Sequence, residues 1–117
     1  MPSDFSFEFG DSLKPSVKIC SLKGELDESV LDSLRNELVT VMSDMEIKYL
    51  VLNLHDLDFI NSKGIGFIVW VHSHLAKDVR HLILADAKEA VMDVMNLVGL
   101  TTIIPYYANS EEALNNI

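Results

Sequence analysis

Phe5, Phe7 and Phe9 alternate with Ser6 and Glu8, the period of two that a half-buried strand requires. Residues 10–15 read as a turn and the apolar run at 17–22 as a second strand, so residues 5–22 predict an antiparallel hairpin that Gly24 closes. From Asp27 the period lengthens. Leu31, Leu34, Leu38, Val41, Met42 and Met45 recur at spacings of three and four, which puts them on one side of a helix. Asp27 is its expected N-cap, and Glu28 lies near the positive end of the helix dipole. Glu28, Asp32, Arg35 and Asn36 are expected to face solvent.

Residues 47–54 are almost continuously apolar, as befits a central strand covered on both faces. A loop over 55–60 then leads to Asn61-Ser62-Lys63-Gly64 and to an apolar helical stretch from Ile65 to about Lys77. Residues 82–85 read as another buried strand. Over 88–98, Val91, Val94, Met95 and Val98 repeat helical spacing, with Gly99 in the stop position. Residues 101–104 predict a last short strand before Pro105, and Ser110 with Glu111 and Glu112 opens a terminal helix. This order specifies an α/β fold: an N-terminal β-hairpin, then alternating strands and helices. Right-handed crossovers give a mixed central sheet, largely parallel inside, with helices packed against it. No repeat or linker interrupts it, so residues 1–117 are expected to form a single domain.

Composition agrees with a folded domain, at 49% hydrophobic and 23% charged over 117 residues. The net charge of −9 repels phosphate backbones and anionic membrane surfaces, so nucleic acid is not an expected partner. Met1-Pro2-Ser3-Asp4 carries no basic segment followed by an apolar run, and no stretch approaches the roughly 20 apolar residues of a membrane span. A cytoplasmic location without membrane insertion is expected. The single cysteine, Cys20, cannot form an internal disulfide and reads as a small buried residue of a strand.

Candidate chemistry is sparse. His72 and His74 would point roughly 200° apart on a helix and so could not share a metal, while His55 and His81 lack a second ligand at a recognisable spacing. No metal and no other cofactor is expected. Asp56 and Asp58 have no water-activating partner beside them. Gly64-Ile65-Gly66 lacks both the lysine-plus-hydroxyl ending of a P-loop and the third glycine of a dinucleotide fingerprint. Both glycines read instead as places where the first helical turn approaches a strand closely. With no nucleophile elbow and no cysteine–base pair, the chain is not expected to be an enzyme. What remains is Ser62, a hydroxyl between Asn61 and Lys63 at the start of a helix, where serine and asparagine are also favoured caps. Ser62 is expected to be exposed there.

The run Leu50-Val51-Leu52-Asn53-Leu54-His55-Asp56-Leu57-Asp58-Phe59-Ile60-Asn61-Ser62-Lys63-Gly64-Ile65-Gly66 resembles the signature of the STAS family, named for sulfate transporters and anti-sigma-factor antagonists. Gly24-Glu25-Leu26-Asp27 and Val98-Gly99-Leu100 followed by Ile103-Ile104 extend the resemblance over almost the whole chain. It implies a regulator of the anti-sigma-factor-antagonist type, controlled by phosphorylation at Ser62. In such regulators an anti-sigma factor that is itself a serine kinase modifies the matching hydroxyl. The unmodified form binds that kinase and frees the sigma factor, and a phosphatase restores it. The implied partners are therefore an anti-sigma factor/serine kinase and a cognate phosphatase, and the reading is compatible with a homodimer. Asn61 stands where the family often has aspartate, and Lys63 where a small residue is common. Other branches of the family give a competing expectation: an unphosphorylated assembly subunit of a lipid-transport ATPase or a stressosome-like complex. A small-molecule or nucleotide sensor has no phosphate-binding loop to support it.

The helix after Ser62 is apolar nearly all round. Ile65, Ile68, Val69 and His72 fall on one side, and Phe67, Trp70, Val71 and His74 spread over the other. With one side packed on the sheet, a partner-binding surface is expected from Asn61, Ser62, Lys63, Phe67, Trp70, Val71 and His74. The alternative is a neighbouring helix covering Phe67 and Trp70.

Overall fold

Strand pairing and helix placement follow from the alternation within one strand. A computed structural model of the protein describes residues 5–117; Met1, Pro2, Ser3 and Asp4, which carry the expectation about export, lie outside the described residues. The elements are β1 (Ser6–Asp11), β2 (Val17–Leu26), α1 (Leu31–Met42), β3 (Tyr49–Ile60), α2 (Ser62–Ala76), β4 (His81–Ala85), α3 (Glu89–Leu97), β5 (Tyr106–Tyr107) and α4 (Ser110–Asn115). The sheet runs β1-β2-β3-β4-β5, with β1 antiparallel to β2 and the other pairs parallel. Parallel strands laid down in sequential order by crossovers of one hand place their helices on one face. Leu50, Leu52 and Leu54 of β3 accordingly join Leu34 and Leu38 of α1, Ile68 and Leu75 of α2 and Met95 of α3 in the main core, against which Phe5, Phe7 and Phe9 pack. Val51, one residue out of phase, meets Val17, Ile83 and Ala85 on the other face, where α4 contributes Ala113 and Leu114. Both faces of the central strand are thus covered, as its continuous apolar run requires.

Several local expectations are corrected. Residues 55–60 are strand, not loop: β3 runs on to Ile60 and pairs Leu57 with Gly24 and Ile60 with Leu26. Gly24, at φ 101°, lies within β2 and does not end it. The register shifts between Ser21 and Lys23 and again between Gly24 and Glu25. Such bulges break the two-residue period, so Leu54, Leu57 and Ile60 are buried at every third position. The first helix also begins a turn later than expected. Val30 occupies its N-cap, while the Asp27 carboxylate accepts the Ser29 amide in the turn before it. Met45 falls beyond the helix end and is exposed. Finally, residues 101–104 are not a strand. Gly99, at φ 74°, ends α3 as expected, but a 3-10 turn at Leu100–Thr102 follows. It is drawn by the burial of Leu100 and Ile104 four residues apart. Val98, counted on the apolar side of α3, is exposed. The last strand falls at β5, where Tyr106 and Tyr107 pair with Leu84 and Ala85.

Cys20 lies wholly buried between Phe9 and Leu52 in the sheet, and burial pushes its thiol up to about 12. Its role is packing. No helix of the described residues is long and apolar enough to cross a membrane.

Candidate functional site

The start of α2 is fixed by one asparagine. Asn61 has extended backbone angles and its Oδ1 accepts the Gly64 amide at 3.0 Å, the bond that caps a helix. Its own amide donates to the Leu26 carbonyl at 3.3 Å, and its Nδ2 donates to Glu28 Oε2 at 2.8 Å. Asn61 therefore ties the end of β2, the turn before α1 and the first turn of α2 together, and both ends of its carboxamide are engaged within the protein. The bond from Asn61 holds the Glu28 carboxyl below the usual carboxylate range. Its contribution to stability is present above that ordinary range and is lost as the pH falls through the lowered value. Asn61→Ala is expected to lower stability by about 1 kcal/mol through loss of the cap, a Tm decrease of roughly 3–6 °C by calorimetry.

Because Asn61 takes the capping role, Ser62 is left as the first helical residue and is exposed. Lys63 is exposed beside it. Ser62, Lys63, Gly66, Phe67 and Trp70 line a shallow depression of about 480 Å³ between α1 and α2, closed on the α1 side by Leu31 and Arg35. The Arg35 guanidinium lies 5.7 Å from the Phe67 ring centroid and 5.6 Å from that of Trp70. The two rings stack at 5.8 Å, and His74 lies 5.4 Å beyond Trp70. Arg35 also pairs with Asp32 at 3.1 Å.

This arrangement corrects the expected docking surface. Phe67 is only 3% exposed and Val71 is fully buried, so neither can present itself to a partner. Both belong to the main core, because α2 packs on the sheet beside α1 and buries residues from both of its apolar sides. Trp70 and His74 are half-buried, which leaves them with Ser62 and Lys63 as the accessible part of the predicted set. Arg35 was expected in solvent. It is half-buried over the aromatic pair, and the signal was its place four residues after Leu31, at the edge of the apolar stripe. Gly64 approaches the sheet as expected, but a Cβ on Gly66 would meet nothing within 4 Å. Gly66 instead leaves the depression open.

The acidic and histidine residues lie elsewhere. Asp58 pairs with Lys88, and Asp56 borders a different depression beside β1. His55 Nδ1 lies 3.4 Å from Asp86, and His81 stacks on Tyr49. Among the described residues no three His, Cys, Asp or Glu side chains form a group that could hold a metal.

Comparison with known proteins gives a coherent set. The family model for the STAS domain matches residues 12–113. An anti-sigma F factor antagonist of Paenibacillus polymyxa is 28% identical over 101 residues, spanning 86% of each chain. A Bordetella bronchiseptica protein, "Putative anti-sigma factor antagonist BtrV", is 32% identical over 95 residues, covering 81% of this chain and 80% of that one. Among solved structures, the anti-sigma factor antagonist SpoIIAA in its unphosphorylated form superposes with a TM-score of 0.80 at 22% identity, covering 95% of each chain. The phosphorylated form of SpoIIAA, from Bacillus, gives 0.73 at 22% identity, covering 95% of this chain and 98% of that one. At that identity the likeness establishes the fold.

Proposed function

This chain belongs to the STAS domain family, and from that premise we propose that it is an anti-sigma-factor antagonist that works by partner switching, with Ser62 as the phosphorylated residue. The observation that carries the reading is the placement of Ser62: an exposed hydroxyl on the first helical residue of α2, freed from capping by Asn61. The two relatives named as antagonists support it. Unmodified, the chain binds an anti-sigma factor that is also a serine kinase, through the surface around Ser62, Lys63, Trp70 and His74. Phosphorylation adds a charge of about −1.5 to −2 there. The free amides of the first helical turn and Lys63 favour that charge locally, so the fold stays intact while the docking surface changes. A phosphatase resets the switch, in the cytoplasm, and this chain itself contributes binding rather than catalysis.

The test is a pull-down from the native cell with wild type, Ser62→Ala and Ser62→Asp, followed by titration of the captured kinase. Wild type and Ser62→Ala are expected to bind alike. Ser62→Asp is expected to bind about 100-fold more weakly, equivalent to roughly 2.7 kcal/mol. Capture of a transport ATPase or a scaffold assembly equally by all three, with no phosphate on Ser62 by mass spectrometry, would establish the constitutive-subunit reading instead.

A further inference from the structure

On the face of α2 that carries Ser62, the helical period brings Gly66 and Trp70 into line at four and eight residues, with Phe67 beside them. Gly66 has no side chain and the space above it is open. Nothing on α2 therefore stands between the Ser62 hydroxyl and the Phe67–Trp70 pair, whose first ring lies five residues on, roughly 7.5 Å along the axis. The guanidinium of Arg35 covers that pair. Lys63 is the nearer cation in sequence, but adjacent helical residues do not face each other. Arg35, projecting from α1, lines the same depression as Ser62.

From this placement we infer that Arg35 reads the state of Ser62: it covers Trp70 when Ser62 is unmodified and leaves the rings for the phosphate when Ser62 is phosphorylated. This rests on the reading of Ser62 as a phosphorylation site. A guanidinium donates two parallel charge-assisted bonds to a phosphate, a stronger interaction than an exposed cation–π contact. Its existing carboxylate partner, Asp32, is 98% exposed and so holds it weakly. One modification thereby makes two surface changes: negative charge at Ser62 and uncovered aromatic area at Trp70. A partner excluded by the first can be recruited by the second.

Trp70 is the chain's single tryptophan, so its fluorescence reports the rings directly. Phosphoserine is installed at position 62 by genetic encoding, which needs no kinase, and quenching by acrylamide is compared with the unmodified protein. Wild type is expected to show at least a twofold higher quenching constant when phosphorylated. Arg35→Met, which keeps an apolar cover over the rings but cannot bind phosphate, should show low quenching in both forms. Arg35→Ala should show high quenching in both. An unchanged constant in phosphorylated wild type, or the same rise in Arg35→Met, overturns the inference. The underlying reading fails separately, if protein purified from its native cell never carries phosphate at Ser62.

Discussion

Arg80→Met is expected to lower stability by about 3 kcal/mol, a Tm decrease of roughly 10–15 °C, with the urea m-value unchanged. Arg80 is 3% exposed, a charged side chain in a position that ordinarily holds an apolar one. Its Nη1 donates to the Met42 carbonyl at 2.8 Å and the Ile47 carbonyl at 3.3 Å, with the Asp44 carbonyl at 3.5 Å. Nη2 donates to the half-solvated Asp78 carboxylate at 3.0 Å. The carbonyls at a helix C-terminus have no intrahelical partners and carry the negative end of the dipole. Arg80 thus satisfies the end of α1 and the turn into β3 with one planar fork. Methionine keeps the apolar stem but leaves these carbonyls without a donor, at about 1–3 kcal/mol for each that stays buried. Removing the cation also removes its own desolvation penalty, including that of the unpaired Nε, which offsets part of the loss. Arg80→Lys separates charge from geometry: an ammonium keeps the charge but not the fork, and a loss of about 1–2 kcal/mol is expected. If Arg80→Met stays within about 1 kcal/mol of wild type, water takes over the carbonyls and the clamp is not structural.

Arg80 also illustrates what a linear pattern conceals. Nothing about an arginine after α2 indicates that the end of α1 lies above it, because that juxtaposition exists only once the crossovers have formed. Arg35 is a partial case: its place at the edge of the apolar stripe marks it as half-buried, but its neighbours Phe67 and Trp70 come from a different helix. Helix α2 was legible as a helix but not in its orientation. Amphipathic reading needs contrast between faces, and residues 65–71 offer little, so Phe67 and Val71 read as docking surface although both lie buried in the main core. The bulges between β2 and β3 erased the alternation over 55–60 in the same way, by changing which residue faces the core. Where a single period persisted, as at Leu50, Val51 and Leu52, both faces could be read directly. The position of Ser62 was legible for a different reason. Polar, turn-favouring residues end abruptly at an apolar run, and that transition marks a helix start whatever packs against it.

The same helix holds two glycines for which one substitution should have opposite signs. Gly64→Ala is expected to destabilise by about 3 kcal/mol and Gly66→Ala to stabilise by about 0.5–1 kcal/mol. Alanine is favoured over glycine within a helix by about 1 kcal/mol at either site, so propensity alone would make both changes favourable. At Gly64 an added Cβ would lie 2.6 Å from the Leu26 carbonyl oxygen and 2.8 Å from Ile60 Cγ1. The first of these is backbone. It is fixed by the Leu26–Ile60 pairing of β2 with β3 and accepts the Asn61 amide, so it cannot rotate away as a side chain would. Relief requires the first turn of α2 to lift off the sheet, which strains the bond from Asn61 to Leu26 and displaces Ser62 with it. At Gly66 the new methyl enters open space and only the propensity gain remains. Chemical denaturation of the two variants therefore isolates the cost of close approach at a common propensity. Partner titration should then show Gly64→Ala binding more weakly at temperatures where it is still folded, because the hydroxyl it presents has moved. Equal stability of the two variants would mean that the helix start yields easily, and that Gly64 does not set where Ser62 stands.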